Sequence, residues 1–123
     1  GEPAPAQAPR PLDVEILKSY VGDDDAAVDE FLRSFLDAAA KAGGRLHTAR
    51  RDRRADALHA VSHSFKSSAR TVGALALGDL CEQLEALGKV EDWRAIDAAL
   101  ARFDALLAAA AADAHAWLAL RVN

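Results

Sequence analysis

The sequence has little cysteine, little proline outside one short segment, and little that favours strands. Its single cysteine, Cys81, excludes an internal disulfide framework and fits a reducing compartment. All four prolines fall within residues 1–11, so nothing beyond Pro11 interrupts a helix. β-branched residues are sparse and no segment alternates with period two, which argues against a sheet-built fold. There is no basic excess: the net charge is −4, whereas nucleic-acid-binding domains usually carry a clear positive one. There is also no long apolar run. The alanine-rich stretch around residues 105–112 is too short and too weakly hydrophobic to span a bilayer, and no secretory signal is visible. The expectation is a soluble, cytoplasmic chain whose domain makes no membrane contact.

What is present is a globular, helix-forming composition. Over 123 residues, 51% are hydrophobic and 28% charged, enough for one domain with a real core. Residues 1–11 have the composition of an extended Pro/Ala-rich linker, expected to tether the domain to something upstream; residues 12–123 form the domain itself. Ala, Leu, Arg, Asp and Glu dominate there, and apolar positions recur at helical spacing.

Five helices are predicted. A short one covers about 12–21 and ends at Gly22. Asp23-Asp24-Asp25 supplies a cap for a second, in which Val28, Phe31, Leu32, Phe35, Ala39, Ala42, Leu46 and Ala49 keep one phase straight through Gly43-Gly44. A third runs over roughly 54–71. A fourth, about 74–88, buries Leu77, Leu80, Cys81, Leu84 and Leu87, turns Asp79, Glu82 and Glu85 to solvent, and ends at Gly88. A fifth covers about 91–120. Short turns between amphipathic helices imply an all-α fold, an antiparallel four-helix bundle with the short N-terminal helix capping one end.

The informative segment is His59-Ala-Val-Ser-His63-Ser-Phe-Lys66-Ser67-Ser68-Ala-Arg70-Thr-Val-Gly73-Ala74. At roughly 100° per residue, His59, His63, Lys66, Ser67 and Arg70 share one stripe, opposite Leu58, Val61, Phe65, Ala69 and Val72. His63 is thus held toward solvent beside a cation and small hydroxyl residues. Several functions compete for it. It can be an ordinary surface histidine. His59 and His63 have the i, i+4 spacing of a two-histidine metal site, but Ala-Val-Ser lies between them and Lys66 and Arg70 would repel a dication. His47 and His115 could join only if the fold brought them near, and no metal site is expected. Arg50, Arg51, Arg53 and Arg54 could bind nucleic acid, but they lack interleaved aromatics and match a solvated helix junction. Finally, a neutral imidazole is a competent nucleophile toward a phosphoryl group. That chemistry wants an exposed ring, a cation to offset phosphoryl charge and small neighbours, and His63, Lys66, Ser67 and Arg70 supply them.

The pattern His63-x-x-Lys66-Ser67-Ser68-x-x-x-x-Gly73-Ala74, followed by Leu77-x-x-Leu80-Cys81-x-x-Leu84-Glu85, resembles the histidine-containing phosphotransfer (HPt) domains of bacterial phosphorelays. Val21-Gly-Asp-Asp-x-x-x-Val-x-Glu-Phe-Leu-x-x-Phe looks like the start of the same bundle, and the likeness covers about residues 12–107. The family often has glycine directly after the lysine, where this chain has Ser67. The resemblance implies a phosphocarrier domain and not an enzyme in its own right. His63 would accept a phosphoryl group from a receiver-domain aspartate and pass it to another receiver, with Lys66 stabilising the phosphoryl charge. His59, Ser62, Ser67 and Arg70 would border the docking face, and only His63 has lysine three residues later. Mg²⁺ would belong to the partner receiver, so no cofactor is expected here. The domain would be monomeric and could be fused to a hybrid sensor histidine kinase. Two alternatives stay open: the phospho-accepting domain of a chemotaxis-type kinase, and a protein-binding bundle without phosphotransfer. Glu82 and Glu85 could reach back toward Lys66 or the imidazole, but a solvated face is the simpler expectation.

Overall fold

The computed structural model describes residues 10–121, so residues 1–9 of the expected linker lie outside the described residues. The chain folds as α1 (Val14–Val21), α2 (Asp25–Arg51), α3 (Ala55–Thr71), α4 (Leu75–Val90) and α5 (Trp93–Ala119), and no strand occurs among the described residues. Helices α2 to α5 pack in a ring, each on its two neighbours, with α3 against α4 the most extensive pairing. Short turns make successive helices antiparallel, and α1 lies across the α2–α3 end.

Each boundary has a local cause. Asp13 caps α1 by accepting from the Glu15 N–H at 3.0 Å, and Asp24 caps α2 by accepting from Ala26 N–H at 3.1 Å. Asp92 does the same for α5 through Ala95 N–H. The α2–α3 and α3–α4 turns close with matching bonds, Arg54 N–H to the Ala49 carbonyl at 2.8 Å and Ala74 N–H to the Ala69 carbonyl at 2.9 Å. In the second turn Gly73 has φ +80°, and a Cβ there would run into the backbone of Asp13. Gly73 therefore sets both the corner and the seat of the segment before α1.

Two expectations need correction. α4 does not end at Gly88 but continues to Val90, and Glu91 takes the left-handed conformation at its end (φ 53°). Gly88 is buried inside the helix, where a Cβ would lie 3.3 Å from Leu58 Cδ2, so its role is close approach of α3 and α4. Phe31, in phase with the core of α2, is nevertheless 43% exposed. The expected run through Gly43-Gly44 holds: α2 is continuous over 27 residues.

The core is apolar apart from the buried hydroxyl of Ser62. Phe65 of α3 sits at its centre, stacked on Phe35 of α2 (ring centroids 5.9 Å apart) and edge-on to Phe103 of α5 (6.0 Å). Leu58, Leu77, Leu80, Leu84, Ile96 and Leu100 belong to the same buried cluster. Cys81 is buried in the same core, and burial pushes its thiol up to about 12, so it stays protonated and inert. No described helix is long and apolar enough to cross a membrane.

Phe65→Ala should cost about 3–5 kcal/mol of stability, read from urea midpoints, because it empties the junction of three helices. Gly73→Ala should cost more than about 1 kcal/mol, since the left-handed φ and the Asp13 backbone both oppose a methyl group. A wild-type midpoint for Gly73→Ala would exclude that account.

Candidate functional site

α3 presents His63 because the 3.6-residue period that buries Leu58, Phe65 and Ala69 leaves this position on the outer face. Its side chain is 68% exposed. The ring is nevertheless not free to turn at will. Nδ1 lies 3.1 Å from Oε1 of Glu85 on α4, and the same carboxylate accepts from Lys66 Nζ, 3.1 Å from both of its oxygens. Glu85 is only 13% exposed and Lys66 18%, so the pair sits beneath and beside the imidazole and not out in solvent.

Burial pushes the Glu85 carboxyl upward, but the hydrogen bond and charge of Lys66, with those of His63, outweigh it and leave the group below the ordinary carboxylate value. Glu85 is therefore ionised at neutral pH and can only accept. A neutral His63 beside it carries its proton on Nδ1, leaving the Nε2 lone pair directed outward. An exposed nitrogen nucleophile of defined tautomer is what this arrangement makes available.

The expected stripe divides in two. Lys66 and Arg70 lean toward α4. Arg70 Nη2 lies 3.4 Å from Asp79 Oδ1 and 3.3 Å from Glu82 Oε2, with its stem over Gly78, where a Cβ would come 2.7 Å from Arg70 Cγ. Ser67 points the other way and, with Phe31, Ser34 and Thr71, lines a shallow recess of about 300 Å³ between α2 and α3. His59 is half-buried one turn before His63, its ring nearly parallel (5°) with centroids 6.1 Å apart.

Ser62 does not fit the docking role expected of it. It is wholly buried and its hydroxyl donates to the Leu58 carbonyl at 2.8 Å, because the helical period that exposes His63 turns its predecessor inward. Glu85 is the opposite case. It was expected on the solvated face of α4 and instead joins the site. Glu82 also reaches back, but to Arg70.

The other candidate residues do not converge here. His47 faces Asp104 at 2.9 Å across the α2–α5 seam, and His115 is exposed on α5. Among the described residues no group of three or more His, Cys, Asp or Glu side chains could hold a metal ion. In the arginine run, Arg50 bonds Asp97 and lies 5.3 Å from the Trp93 ring centroid; Arg51 and Arg54 pair with Asp52 and Asp56. The guanidinium of Arg54 holds Asp56 down to about 2.

The family model of the Hpt domain matches residues 30–113, and the chain belongs to that family. Such domains are phosphocarrier modules of two-component phosphorelays that interact with receiver domains, and are not catalysts. Among solved structures, the chain is similar to the histidine-containing phosphotransfer protein B (HptB) from Pseudomonas aeruginosa PAO1, at 24% identity and a TM-score of 0.80. That match covers 89% of this chain and 94% of that one, and it establishes the shared helical fold. No curated protein matches the chain.

The Glu85 contact carries a pH signature. A carboxyl held below its ordinary value of 4.5 in the folded state favours folding in its ionised form. Its contribution is complete above the unfolded value and is lost as pH falls through the lower folded one. The stability gap between wild type and Glu85→Gln should therefore be widest near neutrality and close as pH drops below 4.5. Urea titrations at several pH values measure it, and a gap constant into acid would exclude a favourable ionised Glu85.

Proposed function

We propose that the domain is a phosphorelay intermediate whose His63 accepts a phosphoryl group from a receiver-domain aspartate and passes it to a second receiver. The observation that carries this reading is the exposed imidazole whose Nδ1 is engaged by Glu85, leaving Nε2 free. Exposure matters because the phosphorus arrives on another protein and must be approached in line.

In the forward step the Nε2 lone pair attacks the phosphorus of the receiver's acyl phosphate. The bond from phosphorus to the aspartyl oxygen breaks, and the carboxylate leaves with the electron pair. The proton on Nδ1 stays where it is. The phosphorylated ring gains positive charge, which faces the Glu85 carboxylate and is stabilised by it. Attack by the next receiver's aspartate on the same phosphorus reverses these changes and returns the neutral ring. A phosphoramidate is stable enough to carry the group yet reactive enough to release it. Mg²⁺ and the acidic pocket belong to the receiver.

The docking face is assigned to the rim of His63: His59 on one side, Ser67 and the α2–α3 recess on another, and Arg70 further along α3. The small side chains of Ser64, Ser67 and Ser68 would let a partner's loops come close to the ring. The domain is taken as residues 12–123, working in the cytoplasm as a monomer, with residues 1–11 as a tether compatible with fusion to a hybrid sensor kinase.

The test is transfer from phosphorylated receivers of the source organism, followed by radiolabel. His63→Gln should abolish acid-labile label on the domain, while His59→Gln should keep it. Labelling of His63→Gln at the wild-type level would overturn the assignment.

A further inference from the structure

We propose that His59 and His63 form a chelating site for a divalent transition metal of the Zn²⁺ and Cu²⁺ class, and that the bound metal closes His63 to phosphorus. The site stands on its own geometry; only its effect on transfer rests on the carrier reading above. The two histidines are one turn apart on α3, so they lie one above the other on the same face. Their rings are nearly parallel, 5° between planes, with centroids 6.1 Å apart. Two imidazoles bound to one tetrahedral Zn²⁺ through bonds of about 2.0–2.1 Å have centroids about 5 Å apart. A swing of about 1 Å by one ring therefore closes the chelate.

Each ring suits that part. His63 is 68% exposed and is engaged at Nδ1, so its Nε2 lone pair faces solvent. A ligating histidine whose other nitrogen meets a carboxylate is the usual arrangement at metal centres. His59 is half-buried and makes no hydrogen bond among the described residues, so its ring is able to turn toward His63. It borders a recess of about 260 Å³ with Asp56, Gly88, Lys89 and Glu91, which leaves room for water in the remaining coordination positions. Two imidazoles completed by water do not need the cluster of three or more ligands that the described residues lack. Imidazole nitrogen selects Zn²⁺ and Cu²⁺, whereas Mg²⁺ takes oxygen ligands and does not compete.

In sequence order Lys66 and Arg70 count against a dication, but the fold removes that obstacle. Lys66 Nζ is 3.1 Å from Glu85, and Arg70 lies 3.4 Å from Asp79 and 3.3 Å from Glu82. Around His59, Asp56 and Glu91 face Lys89 and Arg54. The charges about the pair are thus balanced. The metal would take the same Nε2 lone pair that the phosphorus needs, so the two exclude each other. Nothing is oxidised or reduced: each neutral ring gives one lone pair and keeps the proton on its other nitrogen.

The experiment titrates the 123-residue chain with ZnCl₂, read by calorimetry and by ¹⁵N shifts of the histidine rings. One equivalent should bind and move ring nitrogens of His59 and His63 together, with His47 and His115 unmoved; MgCl₂ should move none of them. His59→Gln and His63→Gln should each weaken binding by about 10-fold or more, because the helix holds the second imidazole at a high effective concentration. Shifts confined to His63, shifts at His47 or His115 in its place, or wild-type affinity in His59→Gln overturn the proposal. The wild-type shifts decide the point even if a variant misfolds.

Transfer is then followed by ³¹P NMR with phosphoramidate as donor, each protein compared with itself with and without one equivalent of Zn²⁺. The metal should slow labelling of wild type by about 10-fold or more, and that of His59→Gln much less. Equal slowing in both overturns the closing of His63 by a chelated metal. A wild type that takes no label even without metal overturns the carrier reading instead, and the titration still decides the site.

Discussion

The register of α4 against α3 is the constraint on which the site depends. Glu85 can reach both Nδ1 of His63 and Nζ of Lys66 only if its turn of α4 lies level with residues 63–66 of α3. Gly73 sets the corner from which α4 starts, in a backbone conformation that other residues adopt at a cost. Gly78 and Gly88 then let the helices close, the first beneath the Arg70 stem and the second against Leu58 and Ala55. A shift of α4 by one residue would rotate Glu85 by about 100° and carry its carboxylate away from the ring.

That register also gives the two flanks of His63 different characters. On the α4 side the cations are already matched: Lys66 by Glu85, and Arg70 by Asp79 and Glu82. On the α2 side the surface is made of serines, Thr71 and the half-exposed ring of Phe31 around a shallow recess. One flank holds the imidazole in place; the other leaves space beside it. Phe65, anchored between Phe35 and Phe103, keeps the α3 backbone under His63 from moving relative to α2 and α5. The exposed imidazole thus rests on a largely apolar core that holds its helix in place.

Much of this was legible from the residues in order. Helical period alone placed Leu58, Phe65, Leu80 and Leu84 inside and His63 outside, because burial of an amphipathic stripe is decided within one helix. Caps at Asp24 and Gly22 were readable for the same reason. Phe31 went astray because the phase of α2 says nothing of where its neighbours end, and Gly88 because a helical glycine at a close helix crossing has the same local pattern as a stop. Ser62 was misplaced by sequence adjacency to His63, although one residue is a rotation of about 100°.

The sequence by itself determined the fold class, the family resemblance and the histidine with its lysine, since these depend on local period and on spacing within one segment. Only the tertiary structure decided what the lysine is bonded to. Glu85 lies 22 residues from His63 along the chain, and no local period relates them. Their meeting is a matter of how two helices slide and rotate against each other, which the Gly73 turn and the buried glycines settle. The tautomer of His63, and with it the ring nitrogen left exposed, follows from that contact.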